Sequence, residues 1–205
     1  LAKTREGLEK SRQELFLQLK EREAIEKRLA DAATHDALTG LPNRKYFSDH
    51  FSHVLAMAER HQSKLALLFI DMDGLKIVND AFGHDGGDML IQQVAKRLQN
   101  NIRKSDYVAR LAGDEFVIVL EQIKAWDEDV SLVCEKLLGV LAEPYDIRGR
   151  RIKLTASIGA SLFPEHGRGA DELLHKADSA MYWVKNTGKN NFAVYDFPQN
   201  KPPKR

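Results

Sequence analysis

The chain has 205 residues, enough for one domain with an appendage and too few for two large ones. Its 31 basic residues nearly cancel 30 acidic ones, so no bulk electrostatic drive toward nucleic acid or an anionic membrane exists, and no nucleic-acid partner is expected. A single cysteine, Cys134, excludes an intrachain disulfide framework, and no apolar run approaches the ~20 residues that span a bilayer. The chain opens on Leu1 with no signal peptide, so a piece of a longer protein is expected, with membrane anchorage of the remainder left open.

Residues 1–33 read as one long helix, nearly half charged and without proline. Leu1, Leu8, Leu15 and Leu29 keep a seven-residue spacing that Arg22 interrupts, with Ile25 and Ala32 extending the stripe. Glu23 stands four residues before Lys27, the favourable order for a helical ion pair. A solvated linker helix is one reading. A parallel coiled coil pairing two copies is the one adopted, although Gln18 and Arg22 weaken its seam.

A compact α/β domain is expected over 34–197. THDALTGLPNR is a turn-rich junction, with Pro42 at the first turn of a helix running to about His61. LALLFIDMD (65–73) is a continuous apolar run ending in acids, the pattern of a buried central strand. GHDGGDMLIQQVAKRLQNNI begins with turn residues and continues as an amphipathic helix. YVARLAGDEFVIVL is a hairpin tipped by Ala112-Gly113-Asp114-Glu115. A second amphipathic helix stops near Pro144 and places Cys134 among Val130, Val133, Leu137 and Leu138, as a buried inert thiol. YDIRGRRIKLTASIGASLF reads as two strands about Gly149, followed by a last helix ended by Gly188 and the closing strand NFAVYDF. Residues 198–205 read as a flexible tail or linker. Met181, Tyr182 and Trp183 read as core or covering residues, and His84 has no partner at zinc-ligand spacing.

Two acidic clusters carry the chemistry. Asp71 and Asp73 close the central strand, and Asp114 and Glu115 tip the hairpin; together they suit oxygen ligation of magnesium and phosphoryl transfer. Either cluster alone is as well explained by turn capping and solvation. Asn79 and Asp88 offer the donor and acceptor types that read a guanine edge, although local spacing leaves helix capping open for Asp88.

These residues carry a family resemblance. RLAGDEF resembles the GGDEF signature of bacterial diguanylate cyclases, and DALTGLPNR (36–44), IDMDGLKIVNDAFGHDGGD (70–88), ASIGAS (156–161) and ADSAMYWVKNTGKNN (177–191) extend the likeness over nearly the whole domain. The resemblance implies a mainly antiparallel central sheet surrounded by helices, of the nucleotidyl-cyclase and polymerase-palm kind, preceded by the long helix. It implies a homodimer in which two GTP condense to cyclic di-GMP and two pyrophosphates, with Mg2+ or Mn2+ as cofactor. It also implies a cytoplasmic domain of a bacterial signalling protein with an upstream sensor.

Carried over by position, Asp71 and Glu115 match metal ligands, with the Met72 carbonyl as a further one. Asp114 matches the variable acid that either joins the metal or helps deprotonate the 3′-hydroxyl. Asn79 and Asp88 match the guanine readers, Gly74-Leu75-Lys76 the phosphate loop, and Lys185 and Lys189 the triphosphate contacts. Ala112 and Gly113 complete the signature turn at the nucleotide. Arg103 and Asp106 keep the Arg-x-x-Asp spacing of the product-inhibition site, whereas Arg110 either supports the acid loop or faces solvent.

Two positions depart from the pattern. Lys189 replaces an arginine common in the family and loses bidentate phosphate contact. Ala112 replaces the first glycine: it is strained if φ must be positive there, and unstrained as the first central residue of a type II turn with Gly113 supplying positive φ. An active synthase is the expectation. The alternative is a catalytically impaired domain that senses GTP or cyclic di-GMP.

Overall fold

The structure, a computed structural model, describes residues 2–124 and 126–196. The tail 198–205 and the side chains of Leu1, Leu8 and Leu29 in the heptad stripe lie outside what is described. In chain order the elements are α1 (Ala2–Thr34), α2 (Arg44–His61), β1 (Lys64–Asp73), α3 (Leu75–Asn101), β2 (Tyr107–Ala112), β3 (Glu115–Ile123), α4 (Trp126–Leu141), β4 (Tyr145–Ile147), β5 (Arg150–Ile152), β6 (Thr155–Phe163), α5 (Ala170–Thr187) and β7 (Asn191–Val194). Among the described residues no helix is long and apolar enough to cross a membrane.

The main sheet has the order β2-β3-β1-β6-β7, antiparallel throughout except for the parallel β6–β7 pair. β1 lies at its centre and is buried from Leu65 to Met72, which explains its unbroken apolar run. Alternation along the strands divides the core between the two faces. Ala66, Leu68, Ile70, Phe116, Ile118 and Ile158 pack with residues of α3 and α4, including a fully buried Cys134 whose thiol burial pushes up to about 12. Leu65, Leu67, Phe69, Val117 and Val119 pack with Phe47, Phe51 and Leu55 of α2 and Leu173, Ala177 and Met181 of α5. Met181 is in the core, whereas Tyr182 and Trp183, on the outer side of α5, are exposed.

Several boundaries differ from the sequence expectation. α2 begins one residue after its cap Asn43, whose side chain accepts from the Tyr46 N–H, so Pro42 precedes the helix and instead bridges to His35. α3 begins at Leu75, eight residues before Gly83, whose φ of 73° kinks the helix without ending it. The segment after Pro144 forms three strands, not two. β4 and β5 make a separate hairpin about Arg148 and Gly149, both at positive φ, and β6 belongs to the main sheet. Local patterning sees a turn at Gly149 but not the break at Lys153-Leu154.

The α1–α2 turn is held by side chains. Asp36 accepts from the Thr39 N–H and hydroxyl, and the Asn43 amide donates to the carbonyls of Ala33 and His35 at the end of α1. Along α1, Leu15 and Ile25 of the heptad stripe are 57% and 50% exposed.

Candidate active site

Antiparallel register opposes Asp71 on β1 to Glu115, the first residue of β3. Cross-strand partners project to one side of the sheet, so two carboxylates 44 positions apart in the chain become neighbours. Asp71 is 7% exposed, and Glu115 is half-buried at the hairpin tip. Lys185 of α5 brings its ammonium within 2.6 Å of Asp71 Oδ1, and Arg44 of α2 lies 3.5 Å from Glu115 Oε2.

Burial raises the Asp71 carboxyl from 3.8 to about 6; Lys185 lowers it, and the charges of Asp114 and Glu115 add to the rise. Burial also raises Glu115, against the pull of Arg44 and with the push of Asp178 and Asp114. Asp178, on α5, is raised by desolvation while His175 and Lys185 pull the other way. The end of β1 therefore concentrates negative charge in a partly dry place.

Asp73, two residues on, has a different task. Its carboxylate accepts from the Thr155 and Ser157 hydroxyls at 2.6 and 2.8 Å and from the Asn190 N–H at 3.2 Å. It ties β1 to β6 and to the turn after α5.

Gly74 follows with φ 105°, a left-handed conformation that any side chain resists, and its carbonyl accepts from the Ile77 N–H. Gly74-Leu75-Lys76 is thus the start of α3, where unpaired backbone N–H groups favour an anion. Lys76 is exposed there.

Asn79 and Asp88 fall on opposite sides of the Gly83 kink. A Cβ at Gly87 would overlap Asn79 Oδ1 and lie 3.0 Å from its Cγ, so the Asn79 amide rests against the backbone immediately before Asp88. A Cβ at Gly86 would overlap Phe82. The two glycines let the kinked helix close on itself, a role their sequence context does not announce.

The hairpin settles the geometry of Ala112. It is the last residue of β2, pairs with Glu115 and is absent from the positive-φ positions, whereas Gly113 has φ 46°. Ala112 therefore precedes the turn instead of being its first central residue, and its methyl is exposed and unstrained. Arg110 supports the acid loop. Its Nε and one terminal nitrogen donate to the Gly113 carbonyl at 3.0 and 2.9 Å, and the other terminal nitrogen to Asp36 at 2.8 Å. Burial alone would raise Asp36, but hydrogen bonds from Thr39 and Arg110 outweigh it and hold that carboxyl below its ordinary value.

Lys189 is exposed at φ 61°, in the turn after α5. Arg103 and Asp106 stand apart from the carboxylates, beyond the other end of β2, in a groove with Leu120, Glu121 and Asp129. Asp106 accepts from the backbone N–H groups of Arg103 and Glu121, and Arg103 is exposed. A larger cleft of about 400 Å³ lies at the Lys64 end of β1, lined by His53, Met57, His61 and Glu121. It is remote from the paired acids, and chemistry rather than volume identifies the site.

The residues fit a hard divalent cation. Asp71 Oδ1 is buried without a well-directed hydrogen bond, the Lys185 ammonium supplying charge beside it. The neighbouring side-chain donors, Asp71, Asp114 and Glu115, all offer oxygens. Among the described residues no three acidic, histidine or cysteine side chains form a ready cage. Arg44, Asp178, Gly86 and Gly87 are the positions that sequence reading passed over. Only register and helix packing bring Arg44 and Asp178 to the acids, Gly87 to Asn79 and Gly86 to Phe82.

A family model described as "Diguanylate cyclase, GGDEF domain" matches residues 33–191. The bifunctional diguanylate cyclase/cyclic di-GMP phosphodiesterase MucR of Pseudomonas aeruginosa is 40% identical over 172 residues, 84% of this chain and 25% of its own length. Diguanylate cyclase TpbB of the same organism is 38% identical over 164 residues, 80% of this chain and 38% of its own length. The isolated GGDEF domain of TpbB superposes with a TM-score of 0.77 at 36% identity, covering 80% of this chain and 96% of that one. The coiled coil and GGDEF domain of DgcB from Caulobacter crescentus, in complex with c-di-GMP, gives a TM-score of 0.78 at 25% identity, covering 91% and 98%. The chain spans well under half the length of the curated relatives it matches. With this fold and this pairing of acids, it belongs to the GGDEF family of diguanylate cyclase domains.

Proposed function

We propose that this domain condenses two GTP into cyclic di-GMP and two pyrophosphates. The observation that carries the proposal is the direct opposition of Asp71 and Glu115 across β1 and β3, at the end of the sheet where α3 presents its N-terminus. Asp71, Glu115 and the Met72 carbonyl would hold Mg2+ or Mn2+, which when bound offsets phosphate charge and polarises the α-phosphate. Asn79 and Asp88 bind the guanine edge. The N–H groups of Gly74-Leu75-Lys76, with Lys185 and Lys189, hold the terminal phosphates, and Ala112 and Gly113 let the nucleotide approach the hairpin.

Each reaction forms one O3′–P bond, breaks the bond between the α- and β-phosphates and releases pyrophosphate. The hydroxyl proton passes toward Asp114 or Glu115. Because each 3′-hydroxyl attacks the other nucleotide, two domains must face each other. Exposed Leu15 and Ile25 support α1 as the helix that pairs them and links an upstream sensor. Arg103 and Asp106 form the inhibitory site for cyclic di-GMP. The unstrained backbone at Ala112 favours a synthase over a nucleotide sensor.

The test is incubation of the purified chain with GTP and Mg2+ and identification of products by mass. Cyclic di-GMP from the unaltered chain, and none from Glu115→Gln, is expected. GTP bound but unreacted identifies the sensor. Specific activity that survives dilution to monomer would contradict the facing-domain scheme.

A further inference from the structure

Both carboxylates opposed across β1 and β3 face a cation of the same chain: Lys185 at Asp71, 2.6 Å, and Arg44 at Glu115, 3.5 Å. The second pair reaches the site from an unexpected direction. Arg44 is the first residue of α2 and follows Asn43. The Asn43 amide grips the Ala33 and His35 carbonyls at the end of α1, its N–H donates to the Thr34 carbonyl at 3.0 Å, and its Oδ1 caps α2. Arg110 binds the same turn through Asp36 and the hairpin through the Gly113 carbonyl, and its own N–H donates to the Pro42 carbonyl at 3.0 Å. The turn that ends α1 thus places one guanidinium behind the hairpin tip and another on its glutamate.

The Arg44–Glu115 pair is also exchangeable. Its side chains are 58% and 37% exposed, and its separation is longer than that of Lys185 and Asp71. A divalent cation taking Glu115 meets a carboxylate that already has a counter-ion, and two cations on one carboxylate repel.

We propose that Arg44 is a positioning residue, the resident counter-ion of Glu115 that competes with the divalent cation, so that the α1–α2 turn sets metal affinity from outside the site. The proposal rests on the reading of Asp71 and Glu115 as metal ligands. Arg44 need not touch substrate for this role. Any change in α1 that tightens or loosens its grip on Asn43 moves the start of α2, and with it the charge offered to Glu115.

The test measures Mn2+ binding to the full chain without nucleotide, by the electron paramagnetic resonance signal of free Mn2+, alongside thermal melts. Arg44→Gln is expected to bind Mn2+ about three- to fivefold tighter, the scale of an exposed ion pair. Arg44→Lys, which keeps the charge, should return toward the unaltered affinity. The gain should shrink at about 1 M salt, where screening shortens the reach of charge. In a Glu115→Gln background, Arg44→Gln should change nothing, because the shared carboxylate is gone. Equal or weaker Mn2+ binding by Arg44→Gln with an unchanged melting temperature overturns the proposal. So does a gain that persists without Glu115, or an Arg44→Lys affinity equal to that of Arg44→Gln. Mn2+ binding to the unaltered chain that ignores Glu115→Gln instead defeats the metal-site reading beneath it.

Discussion

Replacing Gly159 by alanine tests how the sheet and α5 position Lys185. Gly159 is buried on β6, opposite Phe69 of β1 and facing α5. A Cβ there would lie 2.8 Å from Met181 Cα and closer still to the Ala177 carbonyl oxygen and the Met181 nitrogen. Carbon atoms rest about 3.5–4.0 Å apart, so α5 must retreat by roughly 1 Å. The obstacles are helix backbone, which no rotamer change relieves. The retreat loosens Leu173, Ala177, Met181 and Val184 together, all buried against the sheet.

Overpacking of this kind costs about 1–3 kcal/mol, and the backbone nature of the clash places Gly159→Ala at or above the upper end. For a chain of this length, about 3 kcal/mol lowers the melting temperature by roughly 6–12 °C. Calorimetry is the assay, with Gly139→Ala as control. Gly139 lies within α4, has nothing within 4 Å of its Cβ position and should gain up to about 1 kcal/mol of helix propensity. Equal melting temperatures for the two variants would refute the close approach of α5 to β6.

Glu115→Gln should lower the rate of cyclic di-GMP formation by more than about 100-fold, as loss of a charge-stabilising group at a reacting centre does, without lowering the melting temperature. Because Asp71 is raised to about 6, metal binding should weaken as pH falls through 6, by roughly tenfold per pH unit at most, in Mn2+ titrations at several pH values. Stability follows the sign of the same shift. The folded protein holds this proton more tightly, so the stabilisation is complete below about 3.8 and lost as pH rises to about 6. Asp71→Asn should therefore raise the metal-free melting temperature at pH 7.5 more than at pH 4. Gly87→Ala should push the Asn79 amide aside and raise the KM for GTP about tenfold, the scale of one lost hydrogen bond to a buried partner. An unchanged KM would sever Asn79 from guanine reading. Arg103→Ala should leave initial rates intact and make progress curves insensitive to added cyclic di-GMP.

What the sequence determined by itself were features whose cause is local. The apolar run closing on Asp71 and Asp73 marks a central strand because both faces of such a strand must be covered. The glycine between two apolar runs marks the hairpin because only a residue free of Cβ turns there cheaply, and Gly113 does take positive φ. The signature acids and the separated motifs around them were legible for the same reason: residue type and spacing carry them.

The tertiary structure decided which acids meet. Asp71 and Asp73 look alike in sequence, yet register opposes the first to Glu115 and gives the second to Thr155, Ser157 and Asn190. Arg44 sits in a run that reads as a turn followed by a helix, and only the packing of α2 against the sheet brings its guanidinium to Glu115. Gly159 and Gly87 are small for neighbours that lie far along the chain or across a kink. Each of these depends on distance in space between residues remote in sequence, which pairing register and helix packing set and no local pattern encodes.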